Sequence, residues 1–480
     1  MRRESGSEFA MSQAAVGSFD EGLVRSLSES LGEPSWLMEL RMKALSEFAS
    51  LPPEKNPLYT KYVNVAGFDL SNFHMATGKS LVDFRSLFSG FLTGNETNIL
   101  LQGNETHVHA ELEPETASKG VLLLPLHEAL ATHEKVVRQM FERRVVKSTA
   151  DRFSAFVNAF FNGGTFVYIP KGVSLTKPLR KMLLLDSPKT SVVDQTFIYA
   201  DELSKVIFLE ELYSKNSQDP SLVASTSEIH AGPGSHVDFS SIQLLDEETV
   251  HVSNRGVVTL NDSRATVSSL SLGAAVSRSR MNFYLDGRGS VAEGFEIFFT
   301  DSKQRYDFET NLIHNSPDST GSTQARGVLK GESQSIFKGM IKIVREAKNS
   351  RSYLAHHSMI LERSAKSDAV PGLEIDNNEV KATHSASVAQ VDEEQLFYLE
   401  ARGLALDEAK KMVVLGFFEP VLSRVPIEQT REGARFMIEG KWQGKKSRLV
   451  DRETLLAETG ETTPEAKPAE DIFERHYKYR

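Results

Sequence analysis

Hydrophobic and polar positions change rhythm several times along this 480-residue chain. Between residues 21 and 50, Leu37, Leu40, Leu45 and Phe48 recur at spacings that suit one helical face, with charges between them. Pro34 stands where a helix start tolerates a missing N–H, and Pro52-Pro53 stops the run. Residues 51–90 show no clear period. Ile99 to Leu112 (ILLQGNETHVHAEL) predicts two short strands around a Gly-Asn turn, and Gly120 to Pro125 (GVLLLP) predicts another. Residues 127–147 return to a charged amphipathic helix. A second helix follows with Phe153, Phe156, Val157 and Phe160 on one face, and Asn162-Gly163-Gly164 ends it.

From 164 to 390 short β-branched or aromatic runs follow one another: Thr165 to Ile169, Val206 to Leu209, Val257 to Leu260, Phe295 to Phe298, Phe337 to Val344. Gly, Asn, Asp or Ser clusters separate them, and no long amphipathic helix intervenes. The turns GPGSHV at Gly232 and GRGSVA at Gly287 look alike, but no strict period is visible. Many short strands without crossover helices allow a sandwich, a barrel or a β-helix. The length of this body exceeds an ordinary sandwich and favours a solenoid. Beyond 390, Asp392 with Gln395 predicts a capped helix start, Gly403 a stop, and Asp407 a cap for a second helix carrying Met412, Val413, Leu415 and Phe418. Pro426 is expected to end the regular pattern. A charged tail, rich in Glu, Thr, Pro and Lys at 457–470, is expected to be mobile.

Composition narrows the chemistry. The chain has no cysteine, which excludes disulfides, thiolate metal sites and Cys nucleophiles. A net charge of −10 supplies no global field for nucleic acid or anionic lipid. No apolar run approaches the ~18 residues of a membrane span, and no export pattern opens the chain; a cytoplasmic protein is the expectation. Thr77-Gly78-Lys79-Ser80 imitates the end of a phosphate loop, but Phe73 stands where the motif needs glycine, so the chain is not expected to be its own ATPase. His107 and His109 would share one face of a strand without an evident third ligand, and adjacent His356 and His357 would face opposite ways. His314 falls in a loop-like stretch and has no assigned role. Glu374 and Asp376 alternate along a strand; such a pair can bind metal or trade a proton, although charged residues there more often face water, with Lys381 within reach.

Three blocks carry a resemblance to a known family. They are NGGTFVYIPKGVSLTKPLR (Asn162 to Arg180), GLEIDNNEVKATHSASVAQVDEEQLFYLEARGLALDEAKKMVVLGF (Gly372 to Phe417) and, more weakly, GVLLLPLHEAL (Gly120 to Leu130). In order and spacing the chain resembles the SufB/SufD family of iron–sulfur cluster assembly proteins, on the SufD-like side. SufD-like chains carry Cys-Ser-His-Gly-Ala-Thr after Val-Lys. Here His384 is kept, while Ala382 stands in the cysteine position and Ser385 in the glycine position.

The resemblance implies a right-handed parallel β-helix with helical ends. The expected organisation is a cloning remnant (1–10), an N-terminal helical region (11–95), a β-helix core (96–390) with a helical insertion at 127–162, a C-terminal helical domain (391–440) and the tail (441–480). It implies a non-enzymatic scaffold that docks the SufC ATPase through Leu396, Phe397, Leu399, Arg402, Leu415, Phe417 and Phe418, and pairs with SufB or a second copy of itself. No cofactor would be held stably; a transient iron–sulfur cluster at a subunit interface would be the cargo. His384 is the candidate ligand, since imidazole can replace thiolate on such clusters, with Glu374 and Asp376 weaker candidates. Two other readings compete: a purely structural subunit without cluster ligands, and a carbohydrate-active β-helix enzyme, which would want clustered acids and an export signal.

Overall fold

The computed structural model describes residues 19–52, 73–75, 87–88, 92, 96–104, 108–187, 189–214, 219–423 and 428–444. Helices α1 (Glu21–Ser30) and α2 (Ser35–Ser50) come first, followed by β1 (His74–Met75), β2 (Ile99–Gln102), β3 (Val108–Glu111), α3 (Pro114–Ser118) and β4 (Leu122–Pro125). Three helices come next: α4 (Leu126–Thr132), α5 (Glu134–Arg143) and α6 (Arg152–Phe160). The single helix expected over 127–147 is thus broken at His133, whose backbone leaves the helical region.

The strands that follow are β5 (Gly163–Ile169), β6 (Leu179–Leu185), β7 (Thr190–Ala200), β8 (Lys205–Ser214), β9 (Leu222–Ala231), β10 (His236–Leu244), β11 (Val250–Thr259) and β12 (Arg264–Ser271). They continue with β13 (Val276–Leu285), β14 (Val291–Thr300), β15 (Arg305–His314), β16 (Thr320–Leu329), β17 (Gln334–Ile343), β18 (Arg351–Ile360), β19 (Lys366–Ile375) and β20 (Lys381–Gln390). From β5 onward the odd strands form one sheet and the even strands the other, each strand pairing in parallel with the strand two places on. That connectivity is a parallel β-solenoid. Its first end is finished by antiparallel pairs, β2 with β3 and β4 with β5.

Stacked inward columns hold the coils together. Val167, Ile198, Ile229, Val257, Phe283, Leu312 and Ile341 occupy one register position on successive coils, and all are buried. Each layer packs apolar surface on the next, worth ~25 cal/mol per Å² removed from water. The tight corners repeat a left-handed residue followed by a buried serine: Leu203-Ser204, Gly234-Ser235, Asp262-Ser263, Gly289-Ser290, Asp318-Ser319 and Asn349-Ser350. In several corners the serine hydroxyl donates back to a carbonyl of its own turn, as Ser204 does to Asp201 O and Ser263 to Leu260 O, satisfying the bend from within.

Helix α6 is buried between α2 and the odd-strand sheet. Arg41 of α2 is fully buried there: it donates to Ala159 O and Phe161 O at the end of α6, to both Glu33 carboxylate oxygens, and lies over the Phe161 ring. At the other end, α7 (Glu393–Glu400), α8 (Leu406–Leu422) and α9 (Glu428–Trp442) follow the solenoid.

Candidate functional site: the open end of the solenoid

The last coil, β19 and β20, terminates both sheets; among the described residues no strand pairs with either outer edge. Each strand therefore presents a ten-residue row of backbone donors and acceptors, which proteins normally pair, cover or charge. Its inward side chains have no further coil above them. Leu373 continues the column that ends in buried Ile341, yet is 41% exposed, and Ile375 and Val388 are similarly open.

His384 stands in the middle of this surface. It pairs in register with Leu354, a buried inward residue, so the imidazole rises from the inward face of the coil into the open end. Ala382 lies two residues earlier on the same face, over Ser352, and packs against the solenoid core. Glu374 is on the opposite face: it pairs with Lys342, its register partner on β17, at 2.5 Å, the lysine-paired surface role that the sequence favoured over chemistry, with a different lysine from the Lys381 noted as within reach. Asp376 lies just beyond β19, its backbone N–H donating to Ile343 O. The structure therefore does not bring Glu374 to the face that carries His384. Among the described residues no group of three or more His, Asp or Glu is arranged to hold a metal ion.

The other histidines sort by face. His356 is buried one coil below, stacked on Phe337 with ring centroids 4.7 Å apart, and burial pulls it down to about 3, so it is neutral. His357 faces outward against Ser387 Oγ. His314 closes β15 in the core between the hydroxyls of Ser319 and Ser352, a structural role the sequence did not reveal. His109 lies on β3 near Glu111; His107 falls outside the described residues, as do Thr77 to Ser80, Pro426 and the segments 1–10 and 445–480.

A second surface is built by the C-terminal helices. Asp392 caps α7, accepting from Glu394 N, and Gly403 takes the left-handed conformation after it. Asp407 is not the cap of α8: the helix starts at Leu406, and the Asp407 carboxylate accepts from Trp442 Nε1 of α9. Val414, Phe418, Val421 and Leu422 pack on the even-strand sheet against Leu270, Phe295, Phe299 and Val328. Arg326 reaches out from β16 to donate to Phe417 O and sits over its ring. Helix α9, which sequence reasoning missed because its apolar positions are few, is anchored by Lys441. Its ammonium is buried against Leu272 O, Phe299 O and Gln304 Oε1, and burial pulls the amine down to about 7.

The seven residues proposed for ATPase docking divide accordingly. Phe397 is 73% exposed, and Arg402 is exposed and stacked over Tyr398. Leu399, Leu415 and Phe417 are half-buried, whereas Leu396 is buried and Phe418 is sealed into the seam between α8 and the solenoid. Leu406 and Met412, absent from that set, are exposed beside them in sequence.

Fold and site define a scaffold class: a parallel β-solenoid with one open end and a helical appendage on its flank. Comparison with known proteins matches residues 28–180 to the SufBD protein N-terminal region and residues 183–417 to the SUF system FeS cluster assembly, SufBD core domain. The chain is 29% identical over 432 residues to the iron–sulfur cluster assembly protein SufD of Bacillus subtilis, covering 88% of this chain and 98% of that protein. It is 27% identical over 431 residues to an iron–sulfur cluster assembly SufBD family protein of Staphylococcus saprophyticus, covering 87% and 92%. The chain belongs to the SufB/SufD family of iron–sulfur cluster assembly proteins.

Proposed function

We propose that this chain is a non-enzymatic scaffold subunit of a SUF assembly complex, working in the cytoplasm, whose open solenoid end pairs with a second β-solenoid subunit, a SufB-type chain or another copy of itself. The observation that carries this reading is the uncapped last coil, where two free strand edges frame exposed Leu373, Ile375 and Val388. A partner strand laid along either edge would satisfy its backbone groups and bury those side chains together. His384 would then lie inside the seam, positioned to offer one nitrogen to a nascent cluster. With no cysteine in this chain, the remaining ligands would come from the partner and the cluster would be transient cargo.

The exposed patch of α7 and α8, centred on Phe397 with Leu399 and Arg402, is the proposed docking surface for a SufC-type ATPase. Leu415 and Phe417 would contribute from their half-buried positions. Leu396 and Phe418 would support this surface from beneath. Co-purification with the cognate ATPase and SufB-type chain tests the proposal: wild type should form a stable ternary complex, and a chain that co-purifies with neither would refute it. Anaerobic iron–sulfide reconstitution of that complex, wild type against His384→Ala, separates a cluster-holding subunit from a purely structural one.

A further inference from the structure

Away from both surfaces, a cleft of about 170 Å³ opens between α2, the end of α5 and the segment leading into α6. Leu37, Leu40 and Phe141 supply its apolar lining. Three cations line it. Arg144 is held in place, its Nε donating to Phe141 O and its guanidinium 4.7 Å from the Phe141 ring centroid, and its charge is opposed first by Glu228, which accepts from the neighbouring Val145 and Val146 N–H groups, and then by Glu47 in the wall. Lys43 and Lys147 are exposed and have no ion-pair or hydrogen-bond partner among the described residues. Ser148 and Thr149, which follow Lys147 in sequence, also line the cleft. Glu228 and Glu47 answer the charge of Arg144, whereas Lys43 and Lys147 have no carboxylate of their own beside the apolar lining.

We propose that this cleft binds a phosphate monoester with a small apolar body, about one ring in size. The volume suits that body: a cavity of roughly 150 Å³ accommodates benzene. The phosphate dianion would match the two free lysines, with the hydroxyls of Ser148 and Thr149 as neutral donors to its oxygens. Nothing in this assignment depends on pairing at the open end or on docking through α7 and α8.

The protein carries its own reporter. Trp36 stacks edge-on against Phe141 at 5.6 Å, and the only other tryptophan is Trp442, in α9. In full-length Trp442→Phe protein, phenyl phosphate should change Trp36 fluorescence saturably. The Lys43→Ala/Lys147→Ala double variant should bind at least about tenfold more weakly, as should inorganic phosphate or phenol added alone to the parent. Because both lysines are exposed, the double variant should keep its melting temperature, and calorimetric titration gives a second readout. Absence of saturable binding through the millimolar range, or equal affinity in the double variant, overturns the site. Benzoate binding as tightly as phenyl phosphate overturns the choice of a dianion.

Discussion

Ile341 and Leu373 are register partners on adjacent coils, on the same inward column, yet Ile341 is 0% and Leu373 41% exposed. The difference is one missing layer. A solenoid coil is stable when both of its neighbours cover it, and the last coil has only one. Charge on the exposed side should therefore spare the fold and break the pairing. Leu373→Lys should leave the melting temperature within a few degrees of wild type while shifting the particle mass from paired to single subunit, read by light scattering after gel filtration. A variant that remains paired would count against this end as the interface.

The two phenylalanines of the helical appendage should separate docking from stability. Phe397→Asp removes an exposed ring and should abolish ATPase co-purification with no change in unfolding. Phe418→Ala opens a cavity in the α8 seam and should cost about 3–5 kcal/mol, by denaturant titration.

Glu33 predicts an acid-sensitive N-terminal attachment. Burial pushes its carboxyl up, but Arg41 and His127 outweigh this and hold it at about 2, below its ordinary 4.5. A carboxylate with a lowered folded value contributes stability that is complete above pH 4.5 and is lost as pH falls through 2. The shift corresponds to at most about 3 kcal/mol. Glu33→Gln should flatten that part of the pH–stability curve. Arg41→Met should be the more damaging change, since it strands a buried carboxylate, at about 3–5 kcal/mol.

Glu296 should act in the opposite sense. It faces the solenoid interior, where burial raises it to about 7 despite a hydrogen bond from Thr310. Its raised folded value means the protonated form is tolerated below pH 4.5, and stability falls as pH rises from there to 7. Glu296→Gln should raise the melting temperature at pH 8 and leave it nearly unchanged at pH 4.

Much of this architecture was legible in the residues, and the failures have physical causes. The strands at Thr165, Val206, Val257 and Phe337 announced themselves because aromatic and β-branched side chains fill the interior there, and the strand at Phe295 because its aromatics pack both inward, at Phe298, and under the C-terminal helices, at Phe295 and Phe299. Ser- and Thr-rich strands such as β9 and β12 did not, because part of the lumen is lined by hydroxyls. The coil repeat was hidden because its length varies, from 26 residues between paired Val250 and Val276 to 32 between Gln334 and Lys366. The GPGS and GRGS turns did mark equivalent corners; the shared element is the buried serine after a left-handed residue, which Leu203, Asp262, Asp318 and Asn349 also satisfy. His384 could be singled out only by resemblance, and its place on the inward face appeared only with the register. Asp407 was misread as a cap because its partner, Trp442, lies on a helix the pattern did not announce.

Amide hydrogen exchange on the assembled complex tests the pairing of the open end most directly. The proposal predicts that Lys366–Ile375 or Lys381–Gln390 is protected in the complex and exchanges rapidly in the unpaired Leu373→Lys chain, with β11–β15 protected in both. Equally rapid exchange of both terminal strands inside the complex would contradict it.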